Sequence, residues 1–390
     1  AGRSGGFGGR ACGMGRVRGH LPASTRLAMV TYLRPASCAS AIASGSGRSS
    51  RTLASLTSIG RLMPASTSTL GRLMQEIAAV IADDPYIAKD ACARIVVDYE
   101  QLPVIVNPTQ SMAPGAPLIR DDKEGQTTNK VFEWEIGDRE ATDRAFAQAD
   151  VVSKLELHYP RSHPSPMETE GSIADYDRAT GKLTVYMTTQ APHIIRAAVA
   201  LVAELPEHQI RVISPDLGGG FGNKVPVYPG YVVSILASIL TERPVKWISD
   251  KSSNLISTHF ARDVYLKGEM ALRKDGKILG FRMYTTSDHG AFFSDAQPSK
   301  FKIGLLHSAF ACYDIPNAHM VAEGFYTNKA PGGVAYRCSF RVTEGMFFQE
   351  RMVQAAADDL GMDQAEFRRI NFVKDDDFPH RTPFGFLTDS

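Results

Sequence analysis

The chain has 390 residues, 43% of them hydrophobic and 22% charged, the balance of an ordinary globular protein with room for two or three domains. Its longest apolar runs, such as Tyr231 to Leu240, fall well short of the roughly 20 residues a membrane-crossing helix needs, so no membrane span is expected. The formal net charge of +1 averages two unlike pieces: ten arginines with no Lys, Asp or Glu up to Gln75, then 33 basic against 42 acidic residues, so it gives no reason to expect nucleic-acid binding.

Residues 1–75 are built from Gly, Ser, Ala, Arg, Leu and Thr with little periodicity, and cannot bury enough apolar surface to offset their ordering entropy. The segment reads as an organellar transit peptide, a basic disordered arm, or a wrong-frame or misassembled start, and it is set apart from the fold. From Glu76 the composition is normal. Ala88 to Ala93 ends a helix, and Ile95 to Tyr99 reads as a strand. Leu102 to Leu118 holds four prolines and reads as an extended passage, followed by a charged surface connection at 120–130.

Beyond Val131 strands and helices mix, which predicts an α+β architecture rather than a βαβ array. Lys182 to Thr188 places Leu183, Val185 and Met187 on one face of a half-buried strand. Ile195, Ala198, Val199 and Val202 recur at helical spacing between Pro192 and Pro206. Ile210 to Ser214 is a short strand. Val232, Ile235, Leu236, Ile239 and Leu240 form a buried helix face closed by Pro244. Lys277 to Thr285 is a strand after an Asp275-Gly276 turn, and Asp363 with Glu366 starts a final helix as a capping box.

Four short segments carry the candidate chemistry. Arg337-Cys338-Ser339-Phe340-Arg341 sets a thiol between two arginines, which favour thiolate and make Cys338 a metal ligand or nucleophile, against a buried inert cysteine as the plainer reading. Gly218-Gly219-Gly220-Phe221-Gly222-Asn223-Lys224 either lets the backbone approach an oxyanion or is a simple glycine turn; it matches neither a P-loop nor a dinucleotide fingerprint. In Thr188 to His193, Gln190 offers an amide to a bound oxygen and His193 a ligand or base, unless both only cap a helix. In His163-Pro164-Ser165-Pro166-Met167-Glu168 the carboxylate is expected to orient another loop by accepting N–H groups. The five cysteines show no zinc or disulfide spacing, and a reducing compartment is the default.

Taken together, these segments resemble, over roughly residues 76–390, the large subunits of aerobic carbon monoxide dehydrogenases, within the xanthine oxidase family of molybdenum hydroxylases. The Tyr-Arg-Cys-Ser-Phe-Arg loop is what resembles the carbon monoxide-oxidising branch; relatives have glycine at Cys338, and purine-oxidising members have glutamate at Val225. The resemblance implies the end of an α/β hammerhead domain at 76–119, a linker at 120–130 and the first molybdopterin-binding domain at 131–390. It implies molybdenum on molybdopterin cytosine dinucleotide, with Cu(I) on Cys338. Gln190 would bind an oxo ligand, Gly219, Gly220, Phe221 and Gly222 would line the cofactor, and Arg337, Ser339 and Phe340 would shape the pocket.

Partner subunits would carry 2Fe-2S clusters and FAD, in a dimer of heterotrimers, cytoplasmic and possible at the inner membrane face. The family's glutamate base and second cofactor domain are not found before Ser390, so the chain is expected to be a fragment that does not turn over alone. Two other readings stay open: a molybdenum hydroxylase of an aldehyde or N-heterocycle, and an inactive truncated domain or incomplete gene model.

Overall fold

Two mixed β-sheets organise the chain, and the apolar alternation along their strands decides which faces the helices cover. The computed structural model describes residues 78–95, 103–121, 125–291, 309–310, 312–332 and 342–389, and the backbone of 28–33. Strands β1 (Ala28–Leu33) and β2 (Ala78–Ala82) pair antiparallel, and helix α1 (Pro85–Ala93) follows, capped by Asp84. β1 lies within the segment set apart above, yet it joins the fold: Ala-Met-Val-Thr-Tyr-Leu is an apolar, β-prone run inside Arg-rich surroundings. The strand expected at Ile95 to Tyr99 lies, after Ile95, outside the described residues. The proline passage is not wholly extended, because Asn107 caps one helical turn, α2 (Pro108–Ser111), whose first proline needs no N–H partner there.

The chain continues through β3 (Lys130–Gly137), α3 (Arg139–Ala147), β4 (Val151–Tyr159), β5 (Gly171–Asp177) and β6 (Lys182–Met187). Helix α4 (Pro192–Ala203), β7 (Ile210–Ile213), α5 (Pro229–Thr241), β8 (Val245–Ile248) and α6 (Lys251–Ser257) come next. Then follow β9 (Val264–Leu272), β10 (Ile278–Gly290), β11 (Ala318–Tyr326), α7 (Val342–Leu360), α8 (Gln364–Asn371) and a short β12–β13 pair at 380–381 and 387–388. The first sheet has the order β2-β1-β8-β5-β6-β7 and the second β3-β11-β10-β9-β4. Since β1 pairs with β8, the first sheet draws on chain from both sides of residues 120–130.

On β6, Leu183, Val185 and Met187 are buried against Ile195 and Val199 of α4, as their alternation predicts. Helix α5 departs from its predicted face. Gly230, Tyr231, Ser234, Ile235, Ala237 and Ser238 are its buried residues, while Leu240 is exposed. The helix lies close on β5 and β8, and closeness selects small residues over large ones. Ser234 Oγ meets Ser172 Oγ at 2.7 Å, Ser238 Oγ accepts the Tyr176 N–H, and a Cβ on Gly230 would sit 2.2 Å from the Trp247 ring. In the second sheet, Phe281 packs edge-on against Phe310 and Phe348 of α7, and its neighbour Arg282 turns to the opposite face, over Phe146 of α3. β10 runs beyond its predicted end to Gly290 and thereby delivers Asp288 and His289 to the site side. Asp363 caps α8 through the N–H groups of Ala365 and Glu366.

Candidate functional site

The loop between β7 and α5 wraps around one side chain. Gln190, just after β6, does not cap α4; the capping position is Ala191, with no side-chain bond. Instead Gln190 Oε1 accepts the N–H groups of Gly222 at 2.9 Å and Lys224 at 3.3 Å, while its own N–H donates to the Lys224 carbonyl at 2.9 Å. With Oε1 occupied, the exposed amide's Nε2 is the end left to donate to a bound group. Gly220 permits this contact, because a Cβ there would lie 2.4 Å from Gln190 Cδ. Gly219, Phe221 and Gly222 all take positive φ, a conformation uncommon for phenylalanine and one that turns successive N–H groups to one side. The N–H groups of Gly219 and Gly220 meet no acceptor among the described residues, whereas that of Gly222 is taken by Gln190. His193 lies exposed in the first turn of α4.

Glu168 does what its stiff proline-flanked segment predicts. Its Oε2 accepts the Gly218 N–H at 2.9 Å, and its backbone N–H donates to the Gly218 carbonyl at 3.0 Å. The same Oε2 lies 2.6 Å from Nζ of Lys224, which is fully buried. Beneath this pair sits Glu170, also fully buried, whose Oε1 accepts from Asn223 Nδ2 at 3.0 Å and whose Oε2 accepts from Asn254 Nδ2. Burial pushes the Glu170 carboxyl above its ordinary range, against the opposing pull of a backbone N–H, of Asn254 and of Lys224 and Lys251. Asn223 is held in turn by the Tyr228 hydroxyl, which donates to its Oδ1 at 2.8 Å. His163 Nδ1 accepts the Ser165 N–H at 2.9 Å, so Nε2 carries the proton toward Thr258 Oγ1 and the Asn254 carbonyl. Burial holds His163 below its usual pKa, with Lys251 adding to the effect and the Asn254 carbonyl opposing it.

Arg337, Cys338, Ser339 and Phe340 lie outside the described residues, but both flanks of their segment are described. On one side Gly332 N–H donates to the His289 carbonyl at 2.9 Å, and Phe260 N–H to the Pro331 carbonyl at 2.8 Å. Arg161 donates to the Ala330 carbonyl and bridges Asp263 at 2.7 Å and Asp288 at 3.2 Å, two buried carboxylates also shared by Lys329. Burial works against the Asp263 carboxylate, but Arg161, His158 and Lys329 outweigh it and hold its pKa low. On the other side Arg262 reaches Thr343 Oγ1 at 3.1 Å and the buried Glu344 at 3.6 Å. Ser162 and Ala261 exchange backbone hydrogen bonds, which ties this region to the His163–Glu168 segment.

Among the described residues no group of three or more His, Cys, Asp or Glu side chains is arranged to hold a metal. The donors on offer are an amide and backbone N–H groups, which suits the oxygens of a group carried into the site. Sequence reasoning passed over Glu170, Asn254 and Tyr228, which lack any local signature. Asn223 and Lys224 lie in the glycine segment singled out by sequence, which gives them no role of their own.

The family model described as molybdopterin cofactor-binding domain matches residues 122–372. The chain is 51% identical to the carbon monoxide dehydrogenase large chain of Hydrogenophaga pseudoflava, over 81% of this chain and 41% of that one. A crystal structure of a Cu,Mo-CO dehydrogenase in its carbon monoxide-reduced state superposes with a TM-score of 0.78 at 49% identity, covering 82% of this chain and 41% of the other. Quinoline 2-oxidoreductase from Pseudomonas putida 86 superposes at 0.72 with 29% identity, covering 82% and 40%. The chain thus spans about two fifths of the length of the relatives it matches.

Proposed function

The chain belongs to the molybdopterin cofactor-binding domain family, and from that premise we propose that it forms the cofactor-holding part of the large subunit of a carbon monoxide dehydrogenase. The whole enzyme would oxidise carbon monoxide with water to carbon dioxide, releasing two protons and two electrons. The observation that carries the reading is the clamped Gln190 amide beside the Gly219 and Gly220 N–H groups, which meet no acceptor among the described residues, in a chain half identical to carbon monoxide dehydrogenase large chains. When bound, molybdenum on a molybdopterin cytosine dinucleotide supplies the two-electron redox centre, and Cu(I) beside it a soft site for carbon monoxide.

In this reading the chain's own residues bind and orient. Gln190 Nε2 donates a hydrogen bond to an oxygen of the cofactor, and the Gly219 and Gly220 N–H groups do the same from the facing loop, beside Phe221. Cys338 holds copper as a thiolate that Arg337 helps to keep deprotonated. Ser339 and Phe340 complete the wall, and the Arg161 and Arg262 clusters fix the two flanks of that segment. Residues 76–119 would close a hammerhead domain, 120–130 would link it, and the cofactor domain would run from 131. Electrons would leave through an iron–sulfur small subunit and an FAD-binding medium subunit, in a cytoplasmic dimer of heterotrimers. Among the described residues no helix is long and apolar enough to cross a membrane.

The test uses the complete enzyme complex containing this subunit, with metal analysis and carbon monoxide-dependent dye reduction. Molybdenum and copper in equal amounts are expected, with loss of copper and of activity in Cys338→Ser. Activity that survives Cys338→Ser, or a copper-free enzyme that oxidises an N-heterocycle, would overturn the assignment in favour of a hydroxylase.

A further inference from the structure

Lys224 is a lysine where the fold has no evident need of one. It is fully buried, and Glu168 is its one ion-pair partner among the described residues, at 2.6 Å. Burying an ammonium is unfavourable unless its geometry is well compensated. Three segments meet on this one residue. Its Nζ bonds Glu168 Oε2, and that same oxygen accepts the N–H of Gly218 at 2.9 Å. Its backbone N–H donates to Gln190 Oε1 at 3.3 Å. Its carbonyl accepts from Gln190 N at 2.9 Å and from Thr189 Oγ1 at 3.2 Å. Gly218 and Lys224 are the first and last residues of the glycine loop, so one carboxylate oxygen joins the loop's two ends.

We infer that the Lys224–Glu168 ion pair is a clasp that closes the Gly218–Lys224 loop and thereby sets the orientation of the Gln190 amide. Lys224 is then a positioning residue that never touches the reacting atoms. The clasp stands on the geometry alone, while its consequence for the reaction rests on the functional reading above. The loop itself carries the strain that makes a clasp useful, with Phe221 at φ 56° between two left-handed glycines, Gly219 and Gly222. Released at its ends, such a loop relaxes, and Gln190 loses both acceptor contacts with it.

The test compares wild type, Lys224→Met, Lys224→Arg and Lys224→Met/Glu168→Gln in the complete complex. The double variant leaves neither member of the Lys224–Glu168 pair unpaired, so it carries the test if Lys224→Met alone fails to fold. Amide hydrogen exchange reads the clasp directly. Exchange across 218–224 should speed up by at least about tenfold in Lys224→Met, with α5 unchanged, and return toward wild type in Lys224→Arg. Unchanged exchange at 218–224 would refute the clasp. The second readout is the Mo(V) electron paramagnetic resonance spectrum with kcat per bound molybdenum. An altered spectrum and a loss of about tenfold or more, with KM little changed and Lys224→Arg restoring most of it, is expected. A wild-type spectrum and unchanged kcat per molybdenum, with only stability reduced, would reduce the pair to a structural contact. A wild-type complex that holds no molybdenum would sink the functional reading instead, and the exchange result would still decide the clasp.

Discussion

Gly220→Ala perturbs the site at one atom. A Cβ at that position lies 2.4 Å from Gln190 Cδ and 2.6 Å from Oε1. The Gly220 backbone is not left-handed, so the main chain tolerates alanine and the clash falls on the Gln190 side chain. Carbon atoms rest at about 3.5 Å or more, so the amide must withdraw by about 1 Å. That takes Oε1 beyond hydrogen-bond reach of Gly222 and Lys224, which it now meets at 2.9 and 3.3 Å. Each bond contributes about 0.5–1.5 kcal/mol net, and water can replace both at this exposed side chain, so the fold should lose only about 1–2 kcal/mol. Function should lose far more, because removing one oriented donor from a reaction centre costs about 10²–10³ in kcat. The assay is carbon monoxide-dependent dye reduction per bound molybdenum, alongside a thermal melt of the same complex. A fall of about 100-fold with a small shift in Tm is expected. Turnover within a few-fold of wild type, at full molybdenum content, would refute the proposed role of Gln190.

Arg161→Met removes the cation between Asp263 and Asp288, which are 1% and 0% exposed, and leaves Lys329 to serve both, with His158 on Asp263 alone. Stripping one partner from a buried ion cluster costs about 3–5 kcal/mol, to be read by chemical denaturation; a loss under about 1 kcal/mol would mean that Lys329 suffices. For His163 the sign follows from its lowered pKa: the unfolded chain takes up a proton near its ordinary value of 6.5 while the folded chain resists. Its contribution to stability is therefore present above that value and is lost as pH falls through the lower folded one. His163→Gln should flatten the decline in Tm between neutral and mildly acidic pH, and an unchanged slope would show that another group governs it.

Local chemistry made much of this molecule readable in advance. Leu183, Val185 and Met187 announced their strand by period, Pro192 and Pro206 bracketed α4, and Asp363 declared its helix, since each signal acts within a few residues. Glu168 was legible for the same reason, because the prolines beside it promise a stiff carboxylate and little else. The buried face of α5 was misread because hydrophobicity ranks Leu240 above Ser234, whereas close packing on β5 ranks them the other way. The polar scaffold was beyond reach, since its bonds join residues 53 apart for Asn223–Glu170, 84 for Asn254–Glu170 and 169 for Arg161–Ala330. No local pattern encodes such pairings.

The distribution of buried charge explains why the glycine loop and the cysteine segment can be compared at all. Lys224, Arg161 and Arg262 each bring a cation from one segment to the end of another, and each meets a carboxylate there. Buried ion pairs contribute little net stability but impose geometry, since breaking one strands a charge. At the ends of the Gly218–Lys224 loop, such a pair lets the intervening residues be small and strained without being loose. A site meant to hold a large preformed group needs that combination: backbone close enough to bond it, and ends too costly to move. Gly220 against Gln190 meets the first condition and Lys224 with Glu168 the second, and Gly220 and Lys224 belong to one loop.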